Sequence, residues 1–91
     1  MATVHIPAHW REHTDGRATV EVPGRSLGAL VDNLGREFPA LGAILLDEGA
    51  LRGEIAIAIN SVITENGALE PVEDGDEIFL LPAIAGGAAR G

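Results

Sequence analysis

One amphipathic helix constrains the fold of this chain more than any other sequence feature. Ser26 is a good N-cap, and apolar residues follow it at offsets 0, 3, 4, 7 and 11: Leu27, Leu30, Val31, Leu34 and Phe38. This spacing puts all five side chains on one helical stripe, and Pro39 predicts the end of the helix. Gly28 and Gly35 each weaken a helix by about 1 kcal/mol relative to Ala. We therefore expect the helix to be held by packing on a β-sheet.

Short alternating segments on both sides of the helix can supply that sheet. Residues 3–6 and 18–22 alternate polar and apolar side chains, which predicts a hairpin. Residues 55–59 alternate isoleucine and alanine, which predicts a strand with the isoleucines on one face and the alanines on a crowded second face. Residues 77–81 carry a continuous apolar run, which predicts a central strand buried on both faces.

The remaining segments are predicted to be connections. They are a loop with a turn at 8–16, one or two helical turns at 41–46, a loop at 47–53, a short strand at 62–64 and an irregular buried link through Leu69, Pro71 and Val72. The order strand, strand, helix, short helix, strand, strand, strand is typical of the β-grasp arrangement. This is an α+β fold with a mixed sheet of about five strands, the first and last lying parallel at its centre. We assign residues 2–82 to this domain and residues 83–91 to a flexible tail.

Composition and charge argue against several functions. The 91 residues make one domain, and the absence of cysteine excludes disulfides, thiolate metal sites and a cysteine nucleophile. A formal charge of −8, with six Arg and no Lys, argues against nucleic-acid binding and favours basic protein partners. No apolar run approaches the ~20 residues of a membrane span, and the first residues do not resemble a signal peptide. We expect a cytoplasmic protein with no membrane partner.

Two polar clusters could be taken for metal sites, and a simpler interpretation is favoured for each. His5, His9 and His13 lie four residues apart, but Pro7 interrupts any helix through them, which favours solvent-exposed histidines. The carboxylates of residues 73–77 lack the ligand spacing of an EF-hand, which favours a turn with solvated side chains. There is no nucleophile motif and no phosphate-binding glycine loop. We expect no bound metal and no catalysis by the chain alone.

The end of the chain carries the most informative motif. From Asp74 the sequence reads D-G-D-E, an apolar run, a proline and then Gly86-Gly87. This pattern resembles the ubiquitin-like sulfur carriers of the ThiS/MoaD superfamily. Further matches lie before the helix, after it and in the third strand: Pro23-Gly24, Phe38-Pro39 and residues 57–60. The resemblance covers residues 2–87, and the opening of the chain is similar to the branch of carriers that serves cysteine biosynthesis.

The resemblance implies that the tail carries the chemistry. In this family an E1-like enzyme uses ATP to adenylate the carboxylate of the second glycine, here Gly87. The adenylate becomes a thiocarboxylate, which donates sulfide to a biosynthetic partner enzyme; a PLP-dependent sulfhydrylase is the favoured acceptor. Ala85, Gly86 and Gly87 would thread into the partner, because glycines without Cβ atoms fit narrow slots. The chain would be a carrier rather than an enzyme, and would bind no cofactor itself.

Residues 88–91 depart from the family pattern, since mature carriers end at the second glycine. A carboxyl group held in a peptide bond cannot be adenylated, so the resemblance implies that a JAMM-type metalloprotease cleaves after Gly87. Three alternatives remain open. They are the small subunit of molybdopterin synthase, a ubiquitin-like protein modifier joined to its targets through Gly87, and a non-catalytic interaction module with an inert tail.

Overall fold

The computed structural model describes residues 1–48, 50–52, 55–64 and 67–82. In this part the α-helices are α1 (Leu27–Glu37) and α2 (Pro39–Leu45), and 3₁₀ segments span Ala8–Thr14 and Gly67–Leu69. The strands, in chain order, are β1 (Ala2–His5), β2 (Thr19–Val22), β3 (Leu46–Asp47), β4 (Ala50–Leu51), β5 (Ile55–Ile59), β6 (Val62–Ile63) and β7 (Glu77–Pro82). None of the helices described is long and apolar enough to cross a bilayer.

Five of the strands form one mixed sheet in the order β2-β1-β7-β5-β6. β1 and β7 are parallel neighbours, whereas β1–β2, β5–β7 and β5–β6 pair antiparallel. The first and last strands of the domain therefore lie side by side at its centre. This confirms the predicted β-grasp architecture, and β3 and β4 add a separate two-stranded ribbon.

The predicted helical stripe forms the centre of the core. Leu27, Leu30, Val31 and Leu34 have no exposed surface, and Phe38 is 8% exposed. They cluster with inward side chains of the sheet, which include Val4, Val22, Ile57, Ile78 and Leu80. At the start of α1 the Ser26 hydroxyl accepts a hydrogen bond from the Ala29 N–H at 3.2 Å, so the N-cap prediction is confirmed. Packing on the sheet thus stabilises a helix that two glycines weaken.

The prediction that the last strand is buried on both faces is wrong. Ile78 and Leu80 are buried, but Phe79 is half-buried and Leu81 is 38% exposed. The reason is that the core cluster, with both α-helices, occupies one face of the sheet among the described residues. A run that is apolar at every position therefore has one face in the core and one facing solvent. The prediction for β5 is half right. Its isoleucines face the core, but on the other face only Ala58 is buried and Ala56 is exposed.

The predicted loops contain more regular structure than their sequences indicate. Residues 8–16 include the 3₁₀ segment Ala8–Thr14, ended by buried Thr14, whose hydroxyl donates to the carbonyls of Arg11 and Arg17 at 3.2 and 3.0 Å. Residues 47–53 include parts of the β3–β4 ribbon. Pro39 ends α1 as predicted and also begins α2, because a helix tolerates proline in its first turn. In the predicted buried link only Val72 is buried, whereas Leu69 is 85% exposed and Pro71 is also exposed.

The two α-helices approach each other closely at a pair of glycines. A Cβ built on Gly42 would lie 2.8 Å from the Cα of Gly35, and one built on Gly35 would lie 3.2 Å from the Cα of Gly42. Both contacts involve backbone atoms, which cannot rotate away as the end of a side chain can. The short distance between α1 and α2 therefore requires glycine at position 42.

We expect Gly42→Ala to destabilise the domain by about 1–3 kcal/mol, since overpacking at a helix contact forces the backbones apart. The free energy of unfolding, measured by urea denaturation, checks this prediction. Ala40→Ser, at an exposed position of the same helix, is the control and should change that energy by at most about 0.5 kcal/mol. An equal loss in both variants would contradict the close-contact explanation.

A hydrogen-bond network holds the start of β7 against the turn between β5 and β6. In this turn Asn60 and Ser61 have positive φ angles of 51° and 77°. The Asn60 Nδ2 donates to Asp76 Oδ1 at 2.9 Å, its Oδ1 accepts from the Glu77 N–H at 2.9 Å, and its own N–H donates to the Glu77 carbonyl at 2.8 Å. Asp76 Oδ2 also accepts from the Glu73 N–H at 2.9 Å. One asparagine and one aspartate thus join two turns that are distant in sequence.

The same bonds lower the pKa of Asp76 below its ordinary value of 3.8, mainly through the Glu73 N–H and then through the Asn60 amide. A carboxylate whose pKa is lower in the folded state adds stability that is present above 3.8 and is lost as the pH falls below that value towards the folded pKa. We expect Asp76→Asn to lower the urea midpoint at pH 7, and the deficit relative to the wild type to shrink at pH 3. Glu73→Gln is the control, and an equal deficit for Asp76→Asn at both pH values would contradict this account.

Candidate functional site

The described part of the chain ends at the carboxyl end of β7, which is the best-supported strand of the sheet. β1 pairs with its first half, with Thr3 opposite Glu77 and His5 opposite Phe79. β5 pairs with its second half, from Ile59 opposite Ile78 to Ile55 opposite Pro82. The backbone is thus anchored on at least one side as far as Pro82. The predicted site residues Ala85, Gly86 and Gly87, and the predicted cleavage point after Gly87, lie outside the described residues.

Covalent geometry limits where Gly87 can lie. It follows Pro82 by five residues, and five residues span at most about 18 Å when fully extended. A carboxyl group on Gly87 can therefore reach about 18 Å beyond the end of the sheet.

Beside the root of the tail lies an apolar face of the sheet that the helices do not cover. Residues directly opposite one another in neighbouring strands project to the same face. One such row crosses the sheet through Thr19, His5, Phe79, Ala58 and Ile63, and Leu81 lies opposite Ala56 in the same orientation. We call Phe79, Leu81, Ala56, Ala58 and Ile63 the open face. Ile63 is 58% exposed and Leu81 is 38% exposed, and exposed apolar surface of this kind marks protein-binding sites.

One end of the open face carries an ordered polar group. The His5 ring stacks on the Phe79 ring, with centroids 4.2 Å apart and planes inclined by 7°. His5 Nε2 lies 2.9 Å from Glu77 Oε1. The strand register causes both contacts, because it places His5 opposite Phe79 and next to Glu77 on the same face. The open face therefore has an apolar end at Leu81, next to the tail, and a charged end at Glu77.

The structure separates the side chains that the sequence suggested as metal ligands. His5 lies on the sheet, whereas His9 and His13 belong to the following 3₁₀ segment. The His9 ring lies 5.1 Å from that of Trp10, and His13 Nε2 lies 3.6 Å from Glu12 Oε2. His9 is exposed as expected, but His5 and His13 are half-buried. Within the described residues, no three His, Cys, Asp or Glu side chains are grouped so that they could hold a metal ion.

The acidic segment before β7 is a turn, as predicted. Gly75 has a φ angle of 87°, and Glu73 and Asp74 are exposed. Asp74 Oδ1 lies 2.5 Å from the N-terminal ammonium group of Met1, and this hydrogen bond lowers the pKa of Asp74. This hydrogen bond and the bonds to Asp76 described above hold the start of β7. The tail follows the other end of the strand, after Pro82.

Sequence reasoning missed the open face. The apolar run 77–81 was interpreted as buried on both sides, although alternate residues of a strand point to opposite faces. One signal was available, because His5 and Thr3 are polar positions of the neighbouring strand. The face of the sheet that carries Thr3 and His5 is therefore the solvent face. Phe79 and Leu81 lie on the same face.

Taken together, the fold and the glycine-rich tail define a ubiquitin-like β-grasp domain. The model of the ThiS family matches residues 4–87, and the chain belongs to this family. It is 34% identical over 90 residues to the sulfur carrier protein CysO of Mycobacterium tuberculosis, an alignment that covers 93% of this chain and 97% of the relative.

Solved structures agree. A chain of the Amycolatopsis orientalis BexX/CysO complex superimposes with a TM-score of 0.85 at 30% identity, with both chains fully covered. Small archaeal modifier protein 1 of Methanosarcina acetivorans superimposes with a TM-score of 0.82 at 27% identity, covering 94% of this chain and 95% of that one. These similarities confirm the β-grasp fold. They also confirm the resemblance to the ThiS/MoaD sulfur carriers that the sequence motifs indicate.

Proposed function

We propose that this chain is a sulfur carrier whose working group is the carboxylate of Gly87, exposed by removal of residues 88–91. The observation that carries the proposal is the extent of the family match, which runs from residue 4 to residue 87 and so ends at the second glycine. The anchored β7 strand supports it, because Pro82 places that glycine within about 18 Å of a rigid root. The similarity to proteins named sulfur carriers supports it further.

The proposed chemistry has two steps, and partner enzymes perform both. In an E1-like enzyme the Gly87 carboxylate attacks the α-phosphate of ATP, forming an acyl-adenylate and releasing pyrophosphate. Hydrosulfide from a sulfur donor then attacks the acyl carbon, AMP and a proton leave, and a thiocarboxylate remains to donate sulfide. The chain supplies an unhindered carboxyl group on a thin backbone, since neither Gly86 nor Gly87 has a Cβ atom. The need for ATP supports a cytoplasmic location for the chain.

The favoured acceptor is an enzyme of cysteine or sulfur-metabolite synthesis, with a PLP-dependent sulfhydrylase as the leading candidate. Two observations support this choice, namely the similarity to CysO and the solved complex of a CysO with BexX. The partner would dock on the open face, because its apolar end adjoins the root of the tail. A JAMM-type metalloprotease would act earlier and cleave after Gly87.

We expect that the chain ending at Gly87 gains the mass of sulfur replacing oxygen when incubated with ATP, an E1-like enzyme and sulfide. The full-length chain should stay unchanged, because its Gly87 carboxyl is held in a peptide bond. Intact-protein mass spectrometry checks this prediction. Full-length protein co-expressed with a JAMM-type protease should lose residues 88–91 and then become a substrate. Sulfur transfer from an untrimmed chain would contradict the proposed trimming, whereas the absence of any mass gain by the Gly87-ended chain would favour the inert-tail module.

The open face gives a second prediction. Leu81→Ser removes an apolar side chain beside the tail root, so we expect it to raise the KM of the E1-like enzyme for the Gly87-ended chain about tenfold, the effect of losing a modest apolar contact. The kcat should be little changed. Val62→Ser is the matched control, because Val62 is 68% exposed but lies opposite Ile59 rather than on the open face. A KM unchanged by Leu81→Ser would place docking elsewhere.

A protein modifier is the second candidate function, favoured by the similarity to small archaeal modifier protein 1. Such a modifier would use the same adenylate but transfer Gly87 to lysine amines of target proteins. Isopeptide adducts that appear on gels only with the Gly87-ended chain would support it. A thiocarboxylate without such adducts would support the sulfur carrier.

A further inference from the structure

The charged end of the open face borders a shallow pocket. Its volume is about 280 Å³, and its lining residues are Asn60, Ser61, Glu77 and Phe79. One wall is an aromatic ring, one is a carboxylate and one is the turn between β5 and β6. The pocket therefore combines apolar surface with a single negative charge, and it adjoins the face on which we propose that partners dock.

The Glu77 carboxylate is held in place yet still accessible. Its side chain is 57% exposed, and its Oε1 lies 2.9 Å from His5 Nε2. His5 is itself fixed by its stack on Phe79. A carboxylate offers about four lone-pair sites, and the histidine uses one of them. Because little side-chain freedom remains to be lost, Glu77 is a preorganised acceptor for a second donor.

Neighbouring polar groups are already committed to the fold. Asp76 accepts from the Glu73 N–H and the Asn60 amide, and the Asn60 carbonyl oxygen accepts from the Glu77 N–H. Asp74 pairs with the N-terminal ammonium group. By contrast, the Ser61 hydroxyl has no hydrogen-bond partner among the described residues. Glu77 and Ser61 are therefore the pocket's groups with unused capacity for a ligand.

From these contacts we infer that the pocket binds the guanidinium group of an arginine side chain from a docking partner. A planar guanidinium can pair with the Glu77 carboxylate through two N–H groups and lie against the part of the Phe79 ring that lines the pocket, which the stacked His5 ring leaves uncovered. A lysine ammonium is a compact, strongly hydrated charge and fits the ring less well. The formal charge of −8 on the chain adds a general attraction for a basic partner.

The position of this pocket also orients the partner. Glu77 and Leu81 are four residues apart on one strand, which is about 13 Å. The arginine would therefore bind about 13 Å from the tail root, while apolar partner residues cover Leu81. Two different contacts at opposite ends of β7 would align the partner's active site with the tail. This inference rests on the proposed function only for the identity of the partner.

The test uses the full chain and a defined probe, N-acetyl-arginine amide, titrated into ¹⁵N-labelled protein and followed by NMR. We expect saturable shifts of the backbone amides of Ser61, Glu77 and Phe79. Glu77→Gln should weaken binding about tenfold, because a charge-assisted pair is lost. Glu21→Gln is the matched control, since Glu21 is an exposed glutamate on the same side of the sheet, opposite Thr3, and it should bind the probe as the wild type does.

Three results would overturn the inference. They are equal weakening by Glu77→Gln and Glu21→Gln, shifts that do not centre on the pocket, and equal binding of N-acetyl-lysine amide. Urea midpoints of both variants check that each is folded. Because the probe needs neither ATP nor a trimmed tail, failure of sulfur transfer leaves this result intact. Absence of probe binding likewise leaves the sulfur-carrier proposal standing.

Discussion

The pairing of β7 with β1 on one side and β5 on the other is the constraint on which the rest of the structure depends. It joins the first and last strands of the domain as parallel neighbours and gives α1 a continuous surface on which to pack. It also sets the register that puts His5 over Phe79 and Leu81 opposite Ala56. The core, the open face and the root of the tail are all consequences of this one arrangement.

The two ends of β7 are held in different ways. Its start is held by Asn60 and Asp76. Their hydrogen bonds join the acidic turn at residues 73–77 to the turn between β5 and β6. Its other end continues into the glycine tail. β7 is thus held at its start by side-chain hydrogen bonds and along its length by its two neighbouring strands.

The sequence correctly predicts those elements whose pattern of apolar residues fits only one secondary structure and one buried side. The stripe from Leu27 to Phe38 could only be a helix with one buried side, and it is. The run 77–81 was ambiguous, because apolar side chains at every position fit burial on both faces as well as burial on one and docking on the other. The 3₁₀ segment Ala8–Thr14 could not be predicted, because it depends on hydrogen bonds of the Thr14 hydroxyl that no local sequence pattern indicates. The site at Gly86 and Gly87 stays a prediction from the sequence motif, because these residues lie outside the described part of the chain, while the Glu77 pocket depends on the register between strands.

The parallel pairing of β1 with β7 has a consequence for how the protein is made. The first strand is synthesised well before its central partner, so the sheet cannot close until β7 has been made. Such non-local pairing also slows folding. The open face, which needs residues from β7, therefore forms only after β7 has been synthesised. A partner that docked on this face, as proposed above, would bind only chains in which β1, β5 and β7 are already paired.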